Sequence, residues 1–130
     1  MTKTLLVVDD SPDITITIKN MLEEDQGNYK ILIAESGEEC LKLLKENFTP
    51  DAIILDIMLP GIDGLETYER IQKNEKWSKI PVIFLTARTD HFTEGAGRYL
   101  GDDFVQKPFE IDDLINRIEN AIAKRQEENK

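Results

Sequence analysis

Short apolar runs alternate along the chain with longer segments in which apolar and polar residues recur at helical spacing. The runs at residues 5–8, 30–34, 52–55, 82–85 and 104–105 are bounded by charged or turn residues, which predicts buried strands. Strands that are apolar throughout are typical of parallel sheets with helices on both faces. The five alternations of strand and helix therefore predict an α/β fold, (βα)5, with a doubly wound parallel five-stranded sheet.

The predicted helices begin at polar caps. Ser11 and Pro12 suit the start of the first helix, Ser36 the start of the second and Asp63 the start of the third. We expect the first helix to end at Gly27. Its alternating Ile and Thr residues would also suit a strand, but the cap and an inward stripe favour a helix. The stripe comprises Ile14, Ile18, Met21 and Leu22.

The last third of the chain is less regular. Gly95 and Gly97 each cost a helix roughly 1 kcal/mol relative to alanine, so a short or mobile helix is predicted over residues 90–100. Apolar residues stripe the last helix from Ile111 to Ile122, whereas residues 125–130 are polar and are expected to fray. We therefore predict one domain over residues 1–124, followed by a polar tail.

Composition narrows the class of protein. The chain has 130 residues, 40% of them hydrophobic, which suits one domain with one core. No apolar run approaches the roughly 18 residues of a membrane span, and the first residues do not resemble a signal peptide, so we expect a cytoplasmic protein. The net charge of -10 argues against a nucleic-acid-binding surface. The single cysteine, Cys40, is predicted to lie in the core, and His91 at the surface.

Residues with chemical potential stand at the ends of the predicted strands. Asp9 and Asp10 follow the first strand, Asp56 ends the third, Thr86 follows the fourth and Lys107 follows the fifth. In open α/β sheets, ligands bind outside the carboxyl ends of the strands, at the switch in strand order. If the order is 2-1-3-4-5, the first and third strands are neighbours at that switch, and the three aspartates converge.

Three converging carboxylates repel one another, and a hard divalent cation with oxygen ligands removes the conflict, for which Mg²⁺ fits best. Thr86 can donate a hydrogen bond, and Lys107 supplies a positive charge suited to a phosphate oxygen. Together these groups suit phosphoryl transfer to Asp56. Each residue alone also has a plainer interpretation as a strand end, a turn threonine or a surface lysine. Their shared placement favours the site.

At these positions the sequence resembles the receiver domain of bacterial two-component response regulators, chemotaxis receivers among them. The resemblance rests on residues 7–10, 51–64, 86–88, 102–104 and 107–109. It implies a flavodoxin-like sheet of order 2-1-3-4-5. It also implies that Asp56 accepts a phosphoryl group from a phosphohistidine on a sensor histidine kinase or phosphotransfer protein, and that the domain then changes shape.

The resemblance further implies a metal site. Asp10 and Asp56 would bind Mg²⁺ directly, Asp9 would bind it through water, and Met58 would bind it through its backbone carbonyl. Mn²⁺ would be a substitute for Mg²⁺.

For the remaining positions the resemblance implies roles in the switch. Thr86 and Lys107 would hold the phosphoryl oxygens, and Phe104 would be the switch aromatic coupled to movement of Thr86. The bond before Pro108 would be cis. Met58 and Arg88 occupy positions that tune hydrolysis of the acyl phosphate. A methionine side chain offers an attacking water little hydrogen bonding, so we expect a long-lived phosphoryl state.

The chain departs from the family at residues 100–103, where Leu-Gly-Asp-Asp replaces the usual Gly-Ala-Asp-Asp. The stretch from Thr86 to Lys107 is also about one residue shorter than usual. Both departures affect the face formed by the helix over residues 90–100, the fifth strand and the last helix. This face is the family's usual surface for output and homodimers.

Two other functions compete with a phosphorylatable switch. An Mg²⁺-dependent aspartyl-phosphate phosphohydrolase usually carries a second carboxylate two residues after the nucleophile, where this chain has Met58. A degenerate receiver acting only as a binding module would not need the full set of strand-end residues. We therefore expect a protein that catalyses only its own phosphorylation and dephosphorylation. The sequence leaves open its target and whether the domain belongs to a longer regulator.

Overall fold

The computed structural model of the protein describes residues 2–24, 28–46, 48–86 and 102–128. The predictions for Arg88, His91 and the helix over residues 90–100 lie outside these ranges. The strands are β1 (Lys3–Val8), β2 (Tyr29–Ala34), β3 (Ala52–Asp56), β4 (Val82–Thr86) and β5 (Asp103–Gln106). The helices are α1 (Pro12–Glu23), α2 (Gly37–Lys45), α3 (Gly64–Gln72), a 3-10 turn (Trp77–Lys79) and α4 (Ile111–Glu128).

The strands form one parallel sheet in the order β2-β1-β3-β4-β5. This order confirms the predicted doubly wound topology. In the register, Val8 at the end of β1 lies beside Ala34 of β2 and Leu55 of β3. The carboxyl ends of β1 and β3 therefore meet at the switch in strand order.

Alternate residues of the strands supply two separate cores, one on each face of the sheet. In β3, Ile54 packs with α1 and α4, whereas Ile53 and Leu55 pack with α2 and α3. All three side chains are fully buried. Burial on both faces explains why the strands are apolar throughout rather than alternating.

The first helix differs in detail from its prediction. Ser11 is the N-cap residue but makes no side-chain capping bond, and α1 ends at Glu23 rather than at Gly27. The Glu23 carboxylate accepts a hydrogen bond of 3.0 Å from the Ile31 N–H, which ties the last turn to β2. Met21, predicted to face inward, is 45% exposed. Thr15 faces inward instead and is buried. Its hydroxyl donates to main-chain carbonyls of the preceding turn, so burial leaves it hydrogen-bonded.

The last helix extends further than expected. It continues through Glu128, into the segment predicted to fray. Arg125 explains the extension, since its guanidinium forms two hydrogen bonds with Asp102, of 2.7 and 3.2 Å, and a third with the Ser78 carbonyl. A bidentate ion pair of this kind gives the last turns of α4 a fixed partner in the body of the domain.

Glu119 of α4 provides a test of how this helix is held, because it accepts hydrogen bonds from Lys3 and Tyr29 at the starts of β1 and β2. Burial acts to raise the pKa of Glu119, but these bonds and the Lys3 charge outweigh it and hold the pKa below its usual 4.5. The ionised carboxylate therefore stabilises the fold above about pH 4.5, and this contribution is lost as the pH falls through the lowered pKa.

We accordingly expect Glu119→Gln to lower the free energy of unfolding at pH 7 by about 1 kcal/mol or less, with the difference shrinking below pH 4.5. Urea unfolding at several pH values measures it. Glu127→Gln, at an exposed position of the same helix, is the control and should have little effect. A Glu119→Gln deficit that persists unchanged in acid would contradict this account.

Candidate functional site

Three aspartates meet at the carboxyl edge of the sheet. Asp9 follows β1 directly, and Asp56 is the last residue of β3; their exposed fractions are 1% and 4%. Asp10 is exposed to solvent. One carboxylate oxygen from each of the three lies within 4.8 Å of the others. Neighbouring strands that end together therefore bring two buried acids and one exposed acid into one cluster.

Lys107 reaches the same cluster from the residue after β5. Its Nζ donates to Asp9 Oδ2 at 2.8 Å and lies 3.5 Å from Asp56 Oδ2. Its side chain is 17% exposed. The Lys107–Pro108 peptide bond is cis, which confirms the expectation for that bond. The lysine thus partly balances two buried negative charges.

Backbone groups fix the second oxygen of each buried acid. The Met58 N–H donates to Asp56 Oδ1 at 3.1 Å, and the Ser11 N–H donates to Asp9 Oδ1 at 2.9 Å. Each carboxylate therefore has one oxygen held by the loop that follows it and the other facing Lys107. The end of the loop after β3 packs tightly against the end of that strand. A Cβ on Gly64 would lie only 2.2 Å from the Asp56 carbonyl oxygen.

The charges of the cluster are only partly compensated. Burial and the nearby Asp9 charge raise the pKa of Asp56 to about 6, against the opposing effects of Lys107 and the Met58 N–H. Burial acts to lower the pKa of Lys107, but its hydrogen bond to Asp9 and the two carboxylate charges prevail and raise it. The ionised form of Asp56 is therefore disfavoured, because it is buried and because one lysine faces a cluster of three carboxyl groups.

The donor set fits a hard divalent cation. All the side-chain donors of the cluster are carboxylate oxygens, and Mg²⁺ takes oxygen ligands from one or two carboxylates, water and phosphate. A softer metal would favour nitrogen or sulfur ligands. The cluster thus matches the Mg²⁺ site expected from the sequence.

The structure places the other predicted site residues less completely. Thr86 ends β4 beside Gln106 of β5, so its backbone lies at the same edge of the sheet; its side chain is outside the description. Phe104 pairs in register with Phe84 and is half-buried against the core shared with α2 and α3. The direct Asp9–Lys107 pair was not anticipated, since no local pattern links residues 98 positions apart.

Comparison with known proteins assigns the chain to a class, the α/β signalling domains that accept a phosphoryl group. The family model for the response regulator receiver domain matches residues 5–119. The chain belongs to the response regulator receiver domain family. No helix among the residues that the structure describes combines the length and apolar character needed to cross a bilayer.

Relatives agree with this assignment. The alkaline phosphatase synthesis transcriptional regulatory protein PhoP of Bacillus subtilis (strain 168) is 37% identical over 128 residues, which are 98% of this chain and 51% of that protein. The chain spans about half or less of the length of the first curated relatives it matches.

Solved structures give the same result. A putative response regulator from Chloroflexus aurantiacus is 36% identical with a TM-score of 0.81, covering 95% of this chain and 99% of that one. The receiver domain of a sensor histidine kinase from Pseudomonas aeruginosa PAO1 is 25% identical with a TM-score of 0.80, covering 95% and 99%. A magnesium ion is coordinated in the active site cleft of that domain. The receiver fold and its phosphoacceptor signalling role therefore apply to this chain.

Proposed function

We propose that Asp56 is the phosphoacceptor of this receiver and takes its phosphoryl group from a phosphohistidine of a sensor histidine kinase or phosphotransfer protein. The observation that carries the proposal is the placement of the Asp56 carboxylate. It is buried at the end of the central strand, within reach of two further acids and Lys107, with Oδ1 held by the Met58 N–H. Positioning and charge neutralisation of this kind are what phosphoryl transfer requires.

The metal in this proposal is Mg²⁺, with Mn²⁺ as a substitute because it accepts the same oxygen donors. Asp10 and Asp56 would hold it directly, Asp9 through water, and Met58 through its backbone carbonyl. When bound, the ion supplies positive charge between the carboxylates and the phosphoryl oxygens. The raised pKa of Asp56 supports this, since burial and the nearby Asp9 charge both disfavour a carboxylate there without added positive charge.

In the transfer, a carboxylate oxygen of Asp56 attacks the phosphorus. An O–P bond forms, the P–N bond to the donor histidine breaks, and its electron pair returns to the imidazole ring. Lys107 already lies 3.5 Å from Asp56 Oδ2, so its ammonium can shift toward a phosphoryl oxygen of the product. The Thr86 hydroxyl would donate to another of these oxygens from the neighbouring strand end.

The signal would pass from Thr86 to Phe104 and then to the face that includes β5 and α4. Phosphorylation has to favour one of two arrangements of this face. Arg117 of α4 donates to Asp103 at 2.8 Å and to Asp113 at 3.0 Å on this face. These partly exposed ion pairs can exchange partners at small free-energy cost, which suits a surface that binds an output partner or a second copy of the chain.

The aspartyl phosphate is proposed to be long-lived and confined to this protein's own cycle. The Met58 side chain is 54% exposed beside the acceptor, and a thioether neither orients nor deprotonates an attacking water. A phosphohydrolase would need a general acid or base near the nucleophile. We therefore propose no turnover of external phosphoesters, with Arg88 as a second residue that tunes hydrolysis. We also propose that this domain contacts no nucleic acid, since the chain carries a net charge of -10. A cytoplasmic location is proposed because the sequence has one cysteine and no apolar run of membrane-spanning length.

Incubation with acetyl phosphate and Mg²⁺, followed by intact mass, tests the proposal. We expect one added phosphoryl group, formed with Mg²⁺ or Mn²⁺ and lost when EDTA removes the metal. The absence of any adduct in the wild-type protein would contradict phosphoacceptor function. Release of many equivalents of phosphate from a phosphoester substrate would instead favour the hydrolase.

A further inference from the structure

The loop after β3 has a contact with α2 that the phosphoryl chemistry does not explain. Glu38, in the first turn of α2, accepts a hydrogen bond of 3.3 Å from the Ile62 N–H through Oε2. The same carboxylate lies against Gly61, where a Cβ would be 2.6 Å from Oε2 and 3.2 Å from Oε1. An acid far from Asp56 in sequence therefore occupies the outer bend of the loop that carries Met58.

The packing of α2 against this loop brings Glu38 into place. A Cβ on Gly37 would lie 2.1 Å from Thr67 Oγ1 and 2.8 Å from Ile62 Cγ1, so α2 approaches α3 and Ile62 closely at its first residue. The Glu38 side chain then has a short path to the Ile62 N–H. Gly61, with φ of +75°, bends the chain toward the carboxylate in a conformation that favours glycine.

The inner part of the loop is held by the strand it leaves. The Leu59 and Gly64 N–H groups both donate to the Ile57 carbonyl, at 3.2 and 2.9 Å, and Met58 donates to Asp56 Oδ1. The hydrogen bond from Ile62 to Glu38 fixes the outer bend, which lies between Leu59 and Gly64 along the chain. Together they limit how far the Met58 peptide can rotate.

We propose that Glu38 is a positioning residue of the metal site: its carboxylate holds Gly61–Ile62 and thereby orients the Met58 peptide, whose N–H binds Asp56 and whose carbonyl would bind the cation. The inference rests on the proposed Mg²⁺ site. Glu38 does not touch the reacting atoms, and its effect passes through the loop. Removing it leaves the three carboxylates in place but frees the backbone ligand.

The test compares Glu38→Ala, Glu38→Gln and Glu69→Ala by two measurements. Calorimetric titration gives the Mg²⁺ dissociation constant, and NMR hydrogen exchange in metal-free buffer follows the Ile62 amide. Glu38→Gln removes the charge but keeps a side-chain oxygen that can accept from Ile62. Glu69→Ala removes an exposed acid from α3 and controls for net charge.

Glu38→Ala is expected to weaken Mg²⁺ binding about fivefold, the effect of losing one hydrogen bond's contribution, and to speed exchange at Ile62. Glu38→Gln should stay within about twofold of wild type in both measurements, as should Glu69→Ala. If Glu38→Gln binds Mg²⁺ as weakly as Glu38→Ala does, the charge of Glu38 and not its positioning role is responsible, and the inference is overturned. Unchanged Mg²⁺ binding in Glu38→Ala overturns it too. Failure of the wild-type protein to bind Mg²⁺ contradicts instead the proposed metal site itself.

Discussion

Asp56→Asn is expected to abolish phosphorylation by acetyl phosphate in the presence of Mg²⁺. An amide oxygen is a poor nucleophile, and the substitution also removes a negative charge from the cation site. Intact mass should show the unmodified protein only, under conditions in which wild type gains one phosphoryl group. The expected loss is complete, which makes this the largest effect that we predict.

The fold should survive this substitution. In the folded protein the Asp56 pKa is about 6, raised from 3.8 mainly by burial. Its ionisation therefore lowers the stability of the fold as the pH rises from about 4 to about 6, and the full cost remains at pH 7. A neutral amide avoids that cost. In metal-free buffer at pH 7, Asp56→Asn should therefore unfold at no lower urea concentration than wild type.

Asp51→Asn is the matched control for this experiment. Asp51 is exposed at the start of β3, at the opposite edge of the sheet, and accepts a 2.7 Å hydrogen bond from the Thr4 N–H that an amide oxygen can also accept. It should be phosphorylated like wild type. An adduct on Asp56→Asn as abundant as on wild type would show that another residue is the acceptor.

Lys107→Met is expected to lower the free energy of unfolding without metal by about 1–3 kcal/mol, since a buried acceptor left without its partner is costly. The reason lies in the short Lys107–Asp9 ion pair, whose carboxylate side chain is 0% exposed. The variant should gain more stability from Mg²⁺ than wild type gains, because the ion would then be the main counter-charge for the acids. Urea unfolding with EDTA and with saturating Mg²⁺ measures both effects.

Lys76→Met serves as the control, because Lys76 is exposed near the amino edge of the sheet. It should change stability little, with or without Mg²⁺. Equal stability of Lys107→Met and wild type in EDTA would contradict the view that the lysine neutralises the buried acids. An equal gain from Mg²⁺ in the two proteins would contradict the view that lysine and metal neutralise the same charges.

The sheet could be predicted because its signal is local. Ile53, Ile54 and Leu55 are apolar in succession, which is typical of a strand covered on both faces, and the structure buries all three completely. Helix faces were predicted less well. The spacing that placed Met21 inward is also local, but the rotation of α1 against the sheet depends on all its contacts, and the helix buries Thr15 and exposes Met21.

The ends of helices were also hard to predict from local sequence. The polar residues after Lys124 predicted fraying, since an isolated helix end of this composition has little to hold it. Arg125 instead meets Asp102, 23 positions earlier. Whether a charged residue at a helix end finds a partner depends on which distant segment lies beside it, and local composition carries no such information.

The sequence by itself determined the strands, their parallel arrangement, and the position of Asp9, Asp10 and Asp56 at strand ends. Hydrophobic burial imposes these features residue by residue along the chain. Only the tertiary structure decided that Lys107 pairs with Asp9 and that Glu38 reaches the Ile62 N–H. These contacts join residues 98 and 24 positions apart, and they arise because strand order and helix packing, not sequence spacing, set which polar groups lie within hydrogen-bonding distance.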